Sequence, residues 1–436
     1  MDTSLKMDGS SKKQVLLSAC IFMGLSHIIY LKQYIKGAIF ALIEIIMIVN
    51  SPSLFTKIKD MIEISRWWKG ISPAYFRLID GIIALCVLAI FIVAYVVSIK
   101  SAVSSYNDFC LEGRVKSQKE SMQGAVGKAF PIFGLTPAFI LIVFFVIVPL
   151  LFSVVTGFTN WDEMDGHSSP GAPVNWVGFK NFADMFGGDS SWTSAFGRVA
   201  VWTVIWGAMA TITCYFGGMV LATLLYEAKL KVTPVFRAIL ILPYAIPSIL
   251  TVKVWQYMLN GSTGVINNAL KDLHLISESV PWMTDKTIVK FVCIGVNMWV
   301  GIPYFMLLIT GQMTAISADI YEAAEIDGAN KLQVFSNITL PLVIYQTAPL
   351  IIMSFTHNIN NFGAIYFLTG GDPKVTDTTS TSAGATDLLI TWIYKLTMDQ
   401  KRYCRGSVLA MLVFIVLAPF AIWNFKNTKS YKEGEL

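Results

Sequence analysis

Six long apolar runs divide the second two thirds of the sequence, at about residues 132–157, 199–225, 237–258, 288–312, 341–368 and 406–425. Two more, at about 34–50 and 78–98, precede them. A helix crossing the hydrocarbon layer needs about 20 apolar residues. Backbone inside lipid must satisfy its own hydrogen bonds, which leaves α-helices or a closed barrel. Barrel strands are short and alternate in polarity, and these runs do neither. Charged residues make up 14% of the chain, against roughly 25% in soluble proteins. The expected fold is therefore all-α: an integral membrane protein, multi-pass in the cell membrane, built as a polytopic helical bundle of about eight spans.

The net charge of +5 is spread over loops and tail. It reads as membrane-surface charge and gives no sign of nucleic-acid binding. The six cysteines lie far apart without metal spacing, so they read as small buried hydrophobes. Residues 15–31 are apolar but short, with His27 inside, and suggest an in-plane or re-entrant segment. The 34–50 span carries Glu44. Residues 51–77 form a basic loop holding Lys57, Lys59, Arg66, Lys69 and Arg77 beside Trp67 and Trp68. Residues 99–130 form a second charged loop with Lys100, Arg114, Lys116, Lys119 and Lys128. A structured loop follows the 132–157 run, containing Trp161, Asp162, Asp165, Gly166, Pro170 and Pro173. Leu388 to Leu396 suggests a short helix dipping back toward the membrane. The expected divisions are an N-terminal region at 1–128 with one or two extra spans, a transmembrane core at 129–426 and a tail at 427–436.

A polar island interrupts the core between Tyr321 and Pro341. Glu322 to Ile326 reads as a helix end, Asp327-Gly328 as a turn and Lys331 to Ile338 as a second short helix. Val334 and Phe335 suggest an apolar knob with Glu322, Glu325 and Asp327 around it. An amphipathic loop lying on lipid is the other reading.

Two helices carry polar residues at i, i+3, i+4, i+7, which is one helix face. The first set is Asn297, Val300, Gly301 and Tyr304; the second is Ser354, His357, Asn358 and Asn361. Amides and hydroxyls at membrane depth need a partner or water, and they suit an uncharged polyol. Interhelical hydrogen bonding uses the same residue types, so both readings stand. Trp299 and Pro303 read as packing and kink residues, and Leu242-Pro243 with Pro247 as a kinked helix. Lys253 in that span reads as snorkelling or facing water. No G-x-x-x-x-G-K-[ST] loop, nucleophile elbow or H-E-x-x-H occurs. The chain reads as a non-enzyme that takes its energy from elsewhere.

The island resembles the EAA loop of ABC-importer permeases at Glu322, Ala323, Ala324, Asp327, Gly328, Ala329, Phe335, Ile338, Leu340 and Pro341. The resemblance implies a coupling helix docked on a cytoplasmic ATPase subunit. VNMWVGIPY, ILPYAIPSI, SFTHNINNF, the GGDP turn and ATDLLITWIY are together similar to MalF-type permease subunits of maltose/maltodextrin importers, over about residues 130–426. That likeness implies the MalF-like fold and a sugar site at the two polar sets. It also implies a second, MalG-like permease subunit as heterodimer, two ATPase subunits, an extracellular sugar-binding protein and a maltodextrin-like oligosaccharide. ATP and Mg would sit on the ATPase subunits, with no cofactor in this chain. His357 departs from the family's Phe, and the loop after residue 157 is shorter than the family's. With the EAA-like loop in the cytoplasm, 158–198, 259–287 and 369–405 fall outside. Basic clusters at Lys229, Lys231 and Arg237, and at Lys426, Lys429 and Lys432, then fall inside, as the positive-inside rule asks. The 51–77 loop falls outside despite its charge if one span precedes it. A permease for another sugar, a self-contained secondary transporter and a non-transporting membrane subunit are the rival readings.

Overall fold

The computed structural model describes residues 9–64, 74–112, 134–162, 174–227 and 233–426. Seven helices among them are long and apolar enough to span a membrane, or eight if one sharply bent pair is a single span. No strand forms among the described residues beyond an isolated bridge between Thr159 and Trp176. The helices group into two compact units, Met1–Gly178 and Phe179–Leu436.

The first unit contains α1 (Gly9–Ile21), α2 (Leu25–Ile29), α3 (Tyr34–Ile62), α4 (Ala74–Glu112) and α5 (Gly134–Gly157). The short apolar segment at 15–31 becomes the α1–α2 hairpin. Gly24 makes its turn at φ 82°, and a side chain there would collide with the Gly37 backbone of α3. Val15, Ala19 and Leu31 pack against Ala102 and Tyr106 of α4. The expected loop from residue 51 is instead helix as far as Ile62, so Lys57 and Lys59 are helical. Pro52 deprives the Ile48 carbonyl of its usual N–H donor. The Ser51 hydroxyl replaces it at 2.8 Å, so the helix runs on. Residues 99–112 likewise continue α4 rather than opening a loop. Arg66, Trp67, Trp68, Lys69, Arg114, Lys116, Lys119 and Lys128 lie outside the described residues, as do Asp165, Gly166, Pro170 and Pro173.

Glu44 is buried and accepts a hydrogen bond from the Met23 backbone N–H, which is how a carboxylate is held in this helix. His27 is fully buried, and its Nδ1 donates to the Gln33 side-chain oxygen at 2.9 Å. Burial first, and Lys36 second, hold the His27 imidazole down at about 4. The unfolded chain therefore binds the extra proton between pH 4 and the ordinary 6.5, and the fold does not. Stability contributed by neutral His27 is complete above pH 6.5 and falls as pH drops toward 4. The expected loss is roughly 3 kcal/mol. A pH series of thermal unfolding should show this slope in the wild type and a flatter one in His27→Leu.

The second unit contains α6 (Ser190–Glu227), α7 (Thr233–Ala245), α8 (Ser248–Met258), α9 (Ile288–Ala315), α10 (Ala318–Ile326), α11 (Lys331–Ile359), α12 (Phe362–Thr369), α13 (Leu389–Tyr394) and α14 (Tyr403–Lys426). α6 and α9 pack closely along their length. A side chain at Gly218 would strike Phe305 and Met306, and one at Gly301 would press on Cys214. Small residues at a crossing let helices approach in lipid, where no hydrophobic force drives them together. One apolar cluster joins Trp202, Trp206 and Ala210 to Val289, Cys293 and Val296. Another joins Cys214, Tyr215 and Met219 to Phe305, Ile309 and Met313.

Two expected spans are broken. The 237–258 run bends by 90° between α7 and α8, where Pro247 cannot donate to a continuing ladder. The 341–368 run stops at Ile359 and restarts at Phe362. Conversely, the short helix expected at Lys331 to Ile338 does not end there. It continues through a π-turn at Phe335–Thr339 into α11. Pro341 lies just beyond that turn, as Pro149 lies just beyond the π-turn Val143–Ile147 in α5. The wider turn makes room for the ring where an α-turn would clash.

After α12 the chain folds back on itself, and α13 forms where a short re-entering helix is expected. Trp392 is fully buried among Trp192, Val199 and Leu409. Asp387, fully buried, accepts from Gly384 N and Thr391 Oγ1 and pairs with Lys395 at 2.8 Å. Asp387→Asn leaves the half of this pair on Lys395 uncompensated, at a cost of about 3–5 kcal/mol. The melting temperature of the purified protein should fall by roughly 10 °C.

Candidate functional site

The polar island folds as a capped hairpin. Ser317 caps α10 by accepting from Asp319 N at 3.3 Å. At the other end Gly328 takes φ 76°. Its N–H bonds Glu325 O at 3.1 Å, and Ala329 N bonds Ala324 O at 3.0 Å, the pair of bonds that closes a Schellman motif. Asn330 and Gln333 then cap α11 reciprocally, at 2.9 and 2.8 Å. Every element of this turn is written in the sequence AAEIDGANKLQ.

The hairpin is tied to the bundle from one side. Tyr321, Phe335 and Leu340 pack on the Met313–Ile316–Val343 end of the apolar cluster, and Ala324 is buried. Tyr321 Oη lies 3.3 Å from Thr339 Oγ1. Phe335 is thus not the outward knob expected from the sequence. It shares a helix face with buried Thr339 and Val343, which turns it inward. The outward apolar residues are Ile326, 86% exposed, and Leu332, 75% exposed. Glu322, Ala323, Glu325, Asp327 and Gly328 are exposed around them, and Ala329 is half-buried.

About 25 Å away along α9, a small, partly open cleft lies between α8, α9 and α12. Ser248, Val252, Cys293, Val296, Asn297 and Val300 line it, with Asn361, Gly363 and Ala364 opposite. Asn297, Val300 and Asn361 are therefore brought together from the two polar sets. The others go elsewhere. Gly301 faces Cys214. Tyr304 sits 5.9 Å from the Tyr244 ring of α7. Asn358 is buried; it donates to Thr211 Oγ1 at 3.0 Å, and its carbonyl accepts from Trp206 Nε1 at 3.1 Å. Ser354 is half-buried, and His357 is exposed on the last turn of α11. Asn361 leaves the shared face because α11 has already ended. Its side chain instead caps α12 by accepting from Ala364 N at 3.2 Å.

Asn297 serves both readings of the polar faces, since it lines the cleft and also donates to Cys214 Sγ at 3.3 Å. Trp299 packs edge-on to Trp255, and Pro303 is buried. Lys253 donates to Gln256 Oε1 at 2.9 Å. Ser248 and Gly363 escape a search for helical periodicity because each stands at the restart of a broken helix. The signal that could have found them is Pro247 before one break and paired Asn360-Asn361 before the other.

The model of the family described as "Binding-protein-dependent transport system inner membrane component" matches residues 215–424. The galactooligosaccharides transport system permease protein GanP of Bacillus subtilis is 36% identical over 97% of this chain and 99% of its own length. The chain belongs to the MalF-type permeases of ABC importers. The maltodextrin transport system permease protein MdxF of Bacillus subtilis is 33% identical over 84% of this chain and 85% of its own length. The fold is also that of a bacterial ABC transporter involved in import of the acidic polysaccharide alginate. There the TM-score is 0.57 at 21% identity, covering 71% of this chain and 100% of that one. This permease is accordingly a multi-pass protein of the cell membrane and a transport component, not an enzyme. Its hairpin at 317–334 lies within the residues that the family model matches.

Proposed function

We propose that this permease moves a neutral oligosaccharide, of the maltodextrin kind, through the cleft between α8, α9 and α12. One observation carries the reading. The cleft is walled by amide, hydroxyl, thiol and small apolar groups, with no charged side chain among its lining residues. Amides and hydroxyls meet sugar hydroxyls as both donors and acceptors, whereas a phosphate or uronate cargo calls for Arg or Lys. Asn297, Val300 and Asn361 contact the sugar in this reading. Tyr304, Ser354 and His357 come into contact when the helices reorient, and Gly301 and Asn358 hold the helices around it. Galacto-oligosaccharide is the second reading, favoured by the likeness to GanP over almost the whole chain.

Transport would require a second permease subunit of MalG type, an extracellular sugar-binding protein and two ATPase subunits holding ATP and Mg. The ATPase subunits would grip Glu322, Ala323, Glu325, Asp327 and the exposed Ile326 and Leu332. Ala324, Gly328, Ala329 and Phe335 would keep the hairpin's shape. Because α9 runs from the cleft into the hairpin and α11 runs back, movement of the hairpin reorients the cleft as a rigid body. Sugar-stimulated ATP hydrolysis by the reconstituted complex tests the cargo. Stimulation by maltodextrin above galacto-oligosaccharide supports the first reading, and the reverse order supports the second. Stimulation by an anionic oligosaccharide alone rejects both.

A further inference from the structure

We propose that the start of α7 binds the phosphate of an anionic phospholipid through Arg237 and Thr233. Thr233, Arg237, Leu240 and Ile241 form one stripe along α7 at i, i+4, i+7 and i+8. Leu240 and Ile241 pack on the cluster that also holds Tyr321 and Phe335 of the hairpin. The rest of the helix faces outward, with Val235 58%, Phe236 51%, Ile239 56% and Leu242 55% exposed. Arg237 thus lies on the packing stripe of a helix that is otherwise open. Its Nε and the Thr233 hydroxyl are closed off from solvent, and neither has a hydrogen-bond partner among the described residues.

The other described arginines all have company. Arg198 pairs with Asp377, Arg402 donates to Ser380 O, Arg405 lies over the Trp192 ring, and Arg77 has its own partner. A half-buried guanidinium without an anion is costly, so the position calls for one. Arg237 and Thr233 are one helical turn apart, which places their side chains on neighbouring spots. A phosphate there accepts the Nε–H and Nη–H pair side-on, takes the threonine hydroxyl and meets the positive end of the helix.

The order of residues along α7 favours a lipid over other anions. Hydroxyl and cation occupy the first turns beside exposed Val235 and Phe236, and exposed Ile239 and Leu242 carry the apolar outer face on past Arg237, as headgroup and acyl chains require. Lys229 and Lys231 precede them in sequence, and no acidic residue occurs between Glu227 and Asp272. That balance selects an anionic headgroup over a zwitterionic one. A free phosphate would have no use for the apolar side chains.

The test uses the assembled importer in nanodiscs of phosphatidylcholine, with or without phosphatidylglycerol, and counts retained lipid by native mass spectrometry. Wild type should retain phosphatidylglycerol and melt at higher temperature with it. Arg237→Gln should bind it about tenfold more weakly, and Arg237→Lys should keep part of the effect. Should Arg237→Gln not assemble, Thr233→Val supplies the reading, with a smaller loss of the same lipid. Unchanged phosphatidylglycerol retention in the variant that assembles overturns the proposal. So does inorganic phosphate that fully replaces the lipid, or rescue of Arg237→Glu by a charge-reversed residue on a partner subunit.

Discussion

Gly328→Val should reduce uptake by at least about tenfold and uncouple ATP hydrolysis from sugar, although it adds no steric clash. Nothing lies within 4 Å of where its Cβ would stand, so contact is not the cause. The cause is the backbone. Gly328 holds φ 76°, a region that costs other residues roughly 1–2 kcal/mol and costs a β-branched one more. The chain escapes that cost by giving up the turn, and with it the bonds from Gly328 and Ala329 back to Glu325 and Ala324. The relative placement of Ile326 and Leu332 is then lost. Uptake and sugar-stimulated ATPase of the reconstituted complex measure both effects. Gly328→Asn should keep much of the activity, because Asn tolerates the left-handed region. Equal damage from the two substitutions would point to surface chemistry instead of turn geometry.

Val300→Trp should abolish uptake, again by at least about tenfold, while leaving the ATPase subunits bound. Val300 projects into the cleft from α9, half-buried and away from the tight α6–α9 contact at Gly301. An indole there obstructs the cleft without cutting a hydrogen bond seen in the structure. Transport and co-purification, measured side by side, separate a blocked path from a misassembled complex. Normal transport by this variant would remove the cleft from the pathway.

How much of this was legible beforehand differs by element. The membrane class followed from the apolar runs alone, because lipid leaves a helix no alternative. The turn of the hairpin was legible, because the helix end at Ile326, Gly328 at positive φ and the restart at Lys331 are local chemistry written in consecutive positions. Three things were not. Helix continuation past Pro52 depended on a serine hydroxyl standing in for a missing donor, which no propensity records. Phe335 turned inward because α11 does not stop at Pro341: a proline that reads as a helix start is instead accommodated by a π-turn just before it. The cleft joins residues beside two helix breaks, Ser248 and Gly363, to Asn297 on an unbroken helix. Helical periodicity puts Asn358 on the same face as Asn361, but the fold gives the Asn358 side chain to Thr211 and brings Asn361 to the cleft beside Asn297.

In the proposed mechanism the hairpin between α10 and α11 is held by a nucleotide-hydrolysing partner on the cytoplasmic side. Its most direct measurement places a single reactive cysteine at Leu332, 75% exposed, in a background where the native cysteines are replaced. A covalent cross-link to the ATPase subunit should form in membranes, and a membrane-impermeant thiol reagent added to intact cells should not label the site. Labelling from outside, or a cross-link pattern that never includes the ATPase subunit, would contradict it.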